Sequence, residues 1–295
     1  MFDGLNIGGG DKLFVLDKAT DDDSDFGFHE RLPSYINNNI INYCEENLIM
    51  HLIDLHCDTI WRMIESTEES TLRSDSLCVN LDKMKDANTA VQFFACFLNM
   101  KKYESQGMAA ADKDLSNMLS LIQKEVDAHH THLAFAKNAH QIRQNMKDEK
   151  ISVLLTLEEG GVIDGNLSRL NALYEAGIRL ITLTWNYENC IGFPNSKDVA
   201  VMGKGLKPFG VTVVEQMNEL GMMIDVSHLS DGGFWDVLHH SKHPIVASHS
   251  NARTLHNHPR NLSDPMLRAL GETGGITGIN LCPFLLGEPT HIGTK

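Results

Sequence analysis

The sequence lacks the features that mark nucleic-acid-binding and membrane-spanning proteins. Basic residues are in the minority, with 25 Lys and Arg against 39 Asp and Glu and a formal net charge of -14 at pH 7. Binding to nucleic acid or to an anionic membrane needs clustered Lys and Arg. No run of about 18 apolar residues is present, and no basic start is followed by an apolar core. These absences predict a cytoplasmic protein that binds neither nucleic acid nor membrane.

Closely spaced cysteines are also missing. The six cysteines are scattered along 295 residues without a CxxC motif, whereas a disulfide framework is typical of small secreted domains. We therefore expect reduced thiols in or near the core. Histidine, in contrast, is abundant at 15 residues, and His56, His228 and His249 lie in contexts that indicate chemistry.

The first 49 residues differ from the rest of the chain. They contain a glycine cluster at 8–10, an acidic run at 21–23 and an Asn-rich stretch, with no sustained hydrophobic period. This composition is typical of a disordered or loosely docked extension. We therefore predict an atypical extension over residues 1–49 and a single barrel domain over residues 50–295.

From residue 50 onward, predicted strands and helices alternate. The predicted strands cover residues 51–56, 89–98, 151–157, 178–184, 222–226, 244–247 and 275–281. The predicted helices cover residues 109–128, 139–147, 167–176, 210–220, 230–241 and 263–270. Repeated strand–helix units imply a parallel sheet with right-handed crossovers, so the predicted fold class is α/β. This order fits either a (β/α)8 barrel, for which about 250 residues suffice, or a doubly wound sheet.

Side chains that can bind metal follow four of the predicted strands. His56 and Asp58 end the first strand, Glu158 the third, His228 the fifth and His249 the sixth, each after an apolar run. Alternate residues of a strand share a face, so His56 and Asp58 can point into one opening. In a barrel the carboxyl ends of the strands converge on one face, where barrel enzymes place their chemistry. The positions of these residues therefore favour the barrel.

The chemistry of these five side chains narrows the function. Nitrogen and carboxylate ligands without cysteine suit Zn²⁺ in an open, catalytic site. Five ligands exceed the need of one catalytic zinc and suit two ions that share a carboxylate. Two metals about 3.5–4 Å apart can hold a bridging hydroxide and polarise a carbonyl oxygen. The pattern predicts hydrolysis of an amide, an ester or a related bond.

Six segments between residues 50 and 282 resemble the membrane (renal) dipeptidase family, in particular its bacterial-type metallo-dipeptidases (M19-like). In the order that the family shows, they read LIDLHCDTI, LLTLEEGGVIDG, GIRLITLTWN, MMIDVSHLS, IVASHSNAR and RNLSDPML. The resemblance implies a TIM-type (β/α)8 barrel. It also implies zinc-dependent hydrolysis of the peptide bond of dipeptides by a metal-bridging hydroxide.

The resemblance further implies a role for each candidate ligand. His56 and Asp58 are expected on a first zinc ion, and a second zinc ion is expected on His228 and His249. Glu158 is expected to bridge the two ions as the catalytic carboxylate. Glu158 is preferred to its neighbour Glu159 because an ungapped match keeps residues 163–164 in register with the family.

Three more residues are candidates for substrate binding. Arg260 matches the family's arginine that anchors the substrate carboxylate, and a guanidinium binds a carboxylate through two parallel hydrogen bonds. Animal members have a histidine after the fourth strand that binds the reaction intermediate, whereas this chain has Trp185 there. We expect Trp185 to form a pocket wall, and Asn186 is a candidate to replace the missing donor.

The sequence departs from the family at its end. The family has an aspartate after its eighth strand, in a Gly-x-Asp-Phe-Asp-Gly type segment, and no such segment occurs before Lys295. The expected structure is therefore a barrel without strand eight, which leaves two open strand edges. We expect such a chain to fold weakly and to show little dipeptidase activity.

Two other functions remain open from the sequence. One is another amidohydrolase-type metal hydrolase, acting on cyclic amides or lactams. That group usually adds a bridging lysine on its fourth strand, where this chain has Thr184 and Trp185. The other is a metal-binding but inactive family member. Dipeptides are the expected partners, and the sequence leaves open a homodimer, the substrate side chains and the physiological metal.

Overall fold

The computed structural model describes residues 50–66 and 70–287. Within them, parallel strands alternate with helices. The strands are β1 Leu52–Cys57, β2 Thr89–Phe97, β3 Leu133–Phe135, β4 Ile151–Glu158, β5 Ile178–Thr182, β6 Met223–Asp225, β7 Val246–Ala247 and β8 Ile276–Thr277. The helices are α1 Thr59–Glu65, α2 Leu81–Asp86, α3 Met100–Tyr103, α4 Met108–Ala128, α5 Ala139–Lys147, α6 Leu167–Glu175, α7 Val199–Met202, α8 Pro208–Leu220, α9 Asp231–His240, α10 Asp264–Glu272 and α11 Pro283–Leu286, with a 3-10 helix at Gly160–Ile163.

The strands form one curled sheet in the order β1-β2-β4-β5-β6-β7-β8, and each neighbouring pair is parallel. β3 pairs with the start of β4, on the edge that β5 continues. Within residues 50–66 and 70–287, β1 pairs only with β2 and β8 only with β7. The α/β class and the TIM-type barrel are confirmed, and among the described residues the strand that would pair with both β1 and β8 is missing.

Each of the seven predicted strands is present, but the later ones are shorter than predicted. β7 and β8 have two residues each, where the sequence predicts residues 244–247 and 275–281. β6 and β7 share a single register pair. Few backbone hydrogen bonds therefore join these strands, and each of them is short. β3 was not predicted and lies between the predicted helices at residues 109–128 and 139–147. Its three residues are too few to show a hydrophobic period.

The two faces of the sheet pack into different apolar layers. The inner layer is formed by strand residues, among them Leu55, Val91, Phe93, Leu154, Leu180, Met223 and Val246. The outer layer packs strand residues such as Phe94 and Leu155 against the helices. On β4, Leu154 belongs to the inner layer, and Glu158 follows four residues later on the same face. The pleat of β4 therefore directs Glu158 into the carboxyl-end opening.

Three further expectations concern the thiols, the apolarity of the helices and the first 49 residues. The five described cysteines, at positions 57, 78, 96, 190 and 282, are all free thiols. Among the described helices, none has the length and apolarity that crossing a membrane requires. The predicted extension at residues 1–49 lies outside the described residues.

Candidate metal centre

Four of the predicted ligands meet at the carboxyl end of the sheet. Glu158, the last residue of β4, lies between three imidazoles. Its Oε2 is 3.6 Å from Nε2 of His56, and its Oε1 is 3.1 Å from Nε2 of His228 and 3.8 Å from Nε2 of His249. The donor atoms of His56, Glu158 and His249 all lie within 4.8 Å of one another. The structure thus brings together side chains that are far apart in the sequence.

Asp58, the fifth predicted ligand, lies at the edge of this cluster. Its Oδ1 is 3.4 Å from Nε2 of His56, and its side chain is 45% exposed. Burial alone lowers the pKa of His56, but the negative charge of Glu158 and the contact with Asp58 outweigh burial and raise that pKa to about 9. His56 is therefore the imidazole of the cluster that gains most from nearby negative charge.

For the other two imidazoles burial prevails, and the net shift of the pKa is downward. Burial lowers the pKa of His228 and of His249 well below the ordinary value, and the positive charge of Arg260 lowers both further. Burial also raises the pKa of Glu158 to about 7, although the charge of His56 opposes this rise. Burial thus favours the uncharged form of His228 and His249, and the uncharged imidazole is the form that binds a metal ion.

These residues fit a metal ion. The Oε1 atom of Glu158 is buried and has no hydrogen-bond partner among the described residues. The Nε2 atoms of His228 and His249 are only 3.1 Å apart. The two rings therefore direct their Nε2 atoms towards a common point. Imidazole nitrogens and carboxylate oxygens without thiolate are the donors that zinc takes in catalytic sites.

Glu158 and Glu159 face different surroundings. The Oε1 atom of Glu159 accepts a hydrogen bond from Nδ2 of Asn189 at 3.3 Å. Glu159 lines a small cavity of about 360 Å³ that contains none of the three histidines. The structure therefore places Glu158, and not Glu159, between the imidazoles.

Arg260 lies on the wall of the cavity that holds the cluster. It is only 6% exposed, and its Nη1 donates to Oγ of Ser250 at 2.8 Å. Its Nε and Nη2 have no hydrogen-bond partner among the described residues. Burial lowers the pKa of Arg260 to about 10, which leaves it cationic at neutral pH. Arg253, in contrast, forms two hydrogen bonds of 2.7 Å with the carboxylate of Asp231.

Trp185 and Asn186 lie on the same cavity. The ring of Trp185 packs edge-on against Phe97 with centroids 4.8 Å apart, and lies 6.4 Å from the ring of His228. The Oδ1 atom of exposed Asn186 lies 3.2 Å from Nδ1 of His228. Because an amide oxygen only accepts, Nδ1 of His228 donates this hydrogen bond. Asn186 thus contacts a candidate ligand from the side opposite the cluster.

The cavity is large for a small-molecule site, at about 1370 Å³. It extends from the cluster along β1 to residues of β8 and the segment after it. The open edge of the sheet forms part of its wall, because within the described residues no strand lies between β1 and β8.

Comparison with known proteins identifies the family. The family model for membrane dipeptidase (peptidase family M19) matches residues 47–293. The chain belongs to the membrane dipeptidase family. Membership in this metallopeptidase family implies a metal cofactor, and the cluster at Glu158 is where the described residues offer a site for it.

Two relatives show how far along the chain the sequence similarity extends. The chain is 39% identical over 166 residues to an uncharacterized protein encoded in the pqqA 5′ region of Klebsiella pneumoniae, covering 54% of this chain and 60% of that protein. It is 31% identical over 217 residues to an uncharacterized dipeptidase of Schizosaccharomyces pombe, covering 71% of this chain and 52% of that protein. The chain therefore spans between about half and 60% of the length of these relatives.

A solved metallopeptidase structure is also similar to this chain. It is a metallopeptidase from Rhodobacter sphaeroides, liganded with a phosphinate mimic of the dipeptide L-Ala-D-Ala. The TM-score is 0.71 at 26% sequence identity, and the match covers 81% of this chain and 76% of that chain.

Sequence reasoning does not count Asp225 as a ligand and assigns no role to Thr182 or Ser248, yet these three residues support the candidate ligands. Asp225 is fully buried and accepts hydrogen bonds from Thr182 and Ser248, and Ser248 contacts Nδ1 of His249. The available signal was the polar residues inside otherwise apolar strand ends, in IDVSH and VASHS. A polar side chain in a buried run needs a hydrogen-bonding partner, and here the partner is a neighbouring strand end.

Proposed function

We propose that this chain is a metallo-dipeptidase that hydrolyses the peptide bond of dipeptides with a free C-terminal carboxylate. The observation that carries the proposal is the pairing of two features in one cavity. One is the metal-type cluster around Glu158. The other is Arg260, a buried cation whose Nε and Nη2 have no partner among the described residues. A guanidinium in this state suits a substrate carboxylate.

We further propose that the cluster holds two zinc ions. His56 and Asp58 would hold one ion, and His228 and His249 the other. The geometry of Glu158 supports a bridging role, because its Oε2 faces His56 while its Oε1 faces His228 and His249. Zinc bound there would supply Lewis-acid polarisation of the scissile carbonyl and would lower the pKa of water.

The other residues of the cavity would bind the substrate or orient a candidate ligand. Arg260 would bind the C-terminal carboxylate and so select dipeptides over longer chains, whose carboxylate lies farther from the scissile bond. Trp185 and Phe97, in edge-to-face contact, would form an apolar wall for a side chain and exclude water from it. Asn186 would orient the ring of His228 through the hydrogen bond to Nδ1. The dipeptide mimic bound by the Rhodobacter sphaeroides relative supports this class of substrate.

A substrate panel tests the proposal. The purified protein, reconstituted with Zn²⁺, is given Gly-Leu, Gly-Leu amide, Gly-Gly-Leu and a simple lactam. We expect a turnover of Gly-Leu that is low, as predicted from the sequence, that a chelator abolishes and that Zn²⁺ restores. The other three compounds should react more slowly still. Lactam hydrolysis without dipeptide hydrolysis would identify a different amidohydrolase-type activity. Stoichiometric zinc without turnover of any compound would identify an inactive metal-binding member.

A further inference from the structure

The carboxylate of Asp225, the last residue of β6, is saturated by donors. Its Oδ1 accepts from the backbone amides of Ser227 and Ser248, both at 2.9 Å. Its Oδ2 accepts from the hydroxyls of Thr182 and Ser248, both at 2.6 Å. Asp225 is fully buried. Four donors around two oxygens are the complement of an acceptor-only carboxylate.

This arrangement decides where the proton of Ser248 goes. A serine hydroxyl has one proton, and Oγ of Ser248 lies 2.6 Å from Oδ2 of Asp225 and 2.6 Å from Nδ1 of His249. The carboxylate takes the hydroxyl proton because it has none to give. The lone pair of Ser248 is then left to accept a hydrogen bond, so Nδ1 of His249 must carry the proton.

The tautomer of His249 follows from this proton count. With its proton on Nδ1, neutral His249 directs an unprotonated Nε2 towards Oε1 of Glu158 at 3.8 Å and Nε2 of His228 at 3.1 Å. A metal ion binds the unprotonated nitrogen of an imidazole. His228 is oriented by the exposed Asn186, so the buried acidic support belongs to His249.

We propose that Asp225 is a positioning residue that fixes the tautomer of His249 through Ser248 and thereby makes Nε2 of His249 available as a metal ligand. The inference rests on the proposed metal site for its consequence, but the tautomer itself is a property of the metal-free protein. The backbone of His249 is also fixed, because its amide donates a hydrogen bond to Oγ of Ser227 at 3.1 Å.

The substitution Asp225→Asn distinguishes this role from a general structural one. The two backbone amides at Oδ1 cannot turn away, so the asparagine must place its oxygen there. Its NH2 group then takes the position of Oδ2 and donates to Ser248. The hydroxyl proton of Ser248 then has two acceptors, Nδ1 of His249 at 2.6 Å and Oγ of Ser227 at 3.3 Å, and the shorter contact favours Nδ1. The proton of His249 then moves to Nε2, where it blocks metal binding.

Two further variants complete the series. Ser248→Ala removes the link and leaves His249 free to take either tautomer, without forcing the wrong one. Thr182→Val is the matched control, because it removes one hydrogen bond of 2.6 Å from the same oxygen of Asp225 but leaves the path from Asp225 to His249 intact.

The experiment measures the tautomer of His249 and the affinity for zinc. Two-bond ¹H–¹⁵N spectra of the metal-free proteins at pH 8 report which ring nitrogen carries the proton. Competition with a chromophoric chelator gives the zinc dissociation constants. We expect protonated Nδ1 in the parent and in Thr182→Val, protonated Nε2 in Asp225→Asn, and a mixture in Ser248→Ala. Zinc affinity should fall about 100-fold in Asp225→Asn, about 10-fold in Ser248→Ala and little in Thr182→Val.

Several outcomes would overturn the inference. One is protonated Nδ1 in Asp225→Asn, and another is an equal loss of zinc affinity in Asp225→Asn and Thr182→Val. If Asp225→Asn does not fold, parent-like tautomer and affinity in Ser248→Ala would overturn it as well. A parent protein that binds no zinc would overturn the proposed function, while the tautomer of the metal-free variants would still decide the role of Asp225.

Discussion

The strand pair β2–β4 and the strands β6 to β8 are built differently, although both regions contribute to the candidate site. β2 and β4 are joined by seven register pairs, and every residue of β4 is buried. In the second region, β6 and β7 share one register pair, and both residues of β8 are only partly buried. The first group is a conventional ladder of parallel strands, and the second is a set of short strand stubs.

This difference changes how the site residues are held. Glu158 is itself the last residue of β4, and the ladder determines its direction. His228 and His249 lie beyond the ends of β6 and β7, so the ladder does not reach them. Hydrogen bonds from buried side chains take over there, with Asp225 joining the ends of β5, β6 and β7 through Thr182 and Ser248.

The open edge between β1 and β8 is a third environment. His56 and Asp58 belong to β1 and the residue after it, and in the described part of the chain β1 has one strand neighbour. Ile279, Leu281 and Phe284, which follow β8, are exposed at 52%, 78% and 68%. Large apolar side chains are seldom grouped on a surface in this way without a partner. At β1 itself, Asp58 is 45% exposed, whereas His56 is as buried as His228 and His249, with side-chain exposures of 11%, 13% and 12%.

The largest effect is expected where the two sides of the site meet. Glu158→Gln should weaken metal binding at both positions and lower dipeptide turnover by orders of magnitude, because Glu158 contacts the histidines of both sides. The metal affinity should fall by more than the factor of about 10–100 that is typical when a ligand loses its supporting hydrogen bond. Metal content by mass spectrometry and turnover of Gly-Leu measure it. Glu159→Gln is the control, and an equal loss in that variant would refute the assignment.

The next largest effect should be a difference in stability between variants at β2 and variants at β8. Phe94→Ala, at a fully buried position of β2, should lower the free energy of unfolding by about 3–5 kcal/mol because it leaves a cavity in the ladder region. Ile276→Ala, on β8, should cost only about 1–1.5 kcal/mol because the side chain is partly buried. Urea titration of both variants measures the difference. Equal losses would mean that the short-strand side is as cooperative as the ladder.

Arg260→Met should mainly impair substrates with a free carboxylate. Removing one partner of a buried, charge-assisted hydrogen bond costs about 2–5 kcal/mol, so kcat/KM for Gly-Leu should fall while that for Gly-Leu amide hardly changes. Arg253→Met is the control, because Arg253 is already paired with Asp231 and its replacement should lower stability without changing this preference. A parallel fall on both substrates in Arg260→Met would assign Arg260 a structural role.

Asp58→Asn should have the smallest effect and should concern one side of the site alone. Asp58 is 45% exposed and contacts a single member of the cluster, His56. We expect one zinc ion to bind about 10-fold more weakly, with the other unchanged. Calorimetric titration of the metal-free protein separates the two binding steps. Weakening of both steps by the same factor would show that the β1 half is not independent.

Much of this site could be predicted from the sequence because of one geometric rule. Parallel strands in a barrel end on a common face, so a polar residue after each apolar run is enough to group His56, Glu158, His228 and His249. The choice between Glu158 and Glu159 was harder, because both are buried and adjacent. The register with the family favoured Glu158, and the structure places it among the histidines.

Local sequence was sufficient for the alternation of strands and helices and for the residue types at the strand ends, because hydrophobic period and position along a strand are local properties. Which polar groups find partners depends instead on the tertiary structure. It leaves two nitrogens of Arg260 unpaired among the described residues while Arg253 is satisfied by Asp231, and it places Asp225 beneath Ser248 and His249. These hydrogen bonds join neighbouring strands that are tens of residues apart in sequence, and no local pattern records that distance.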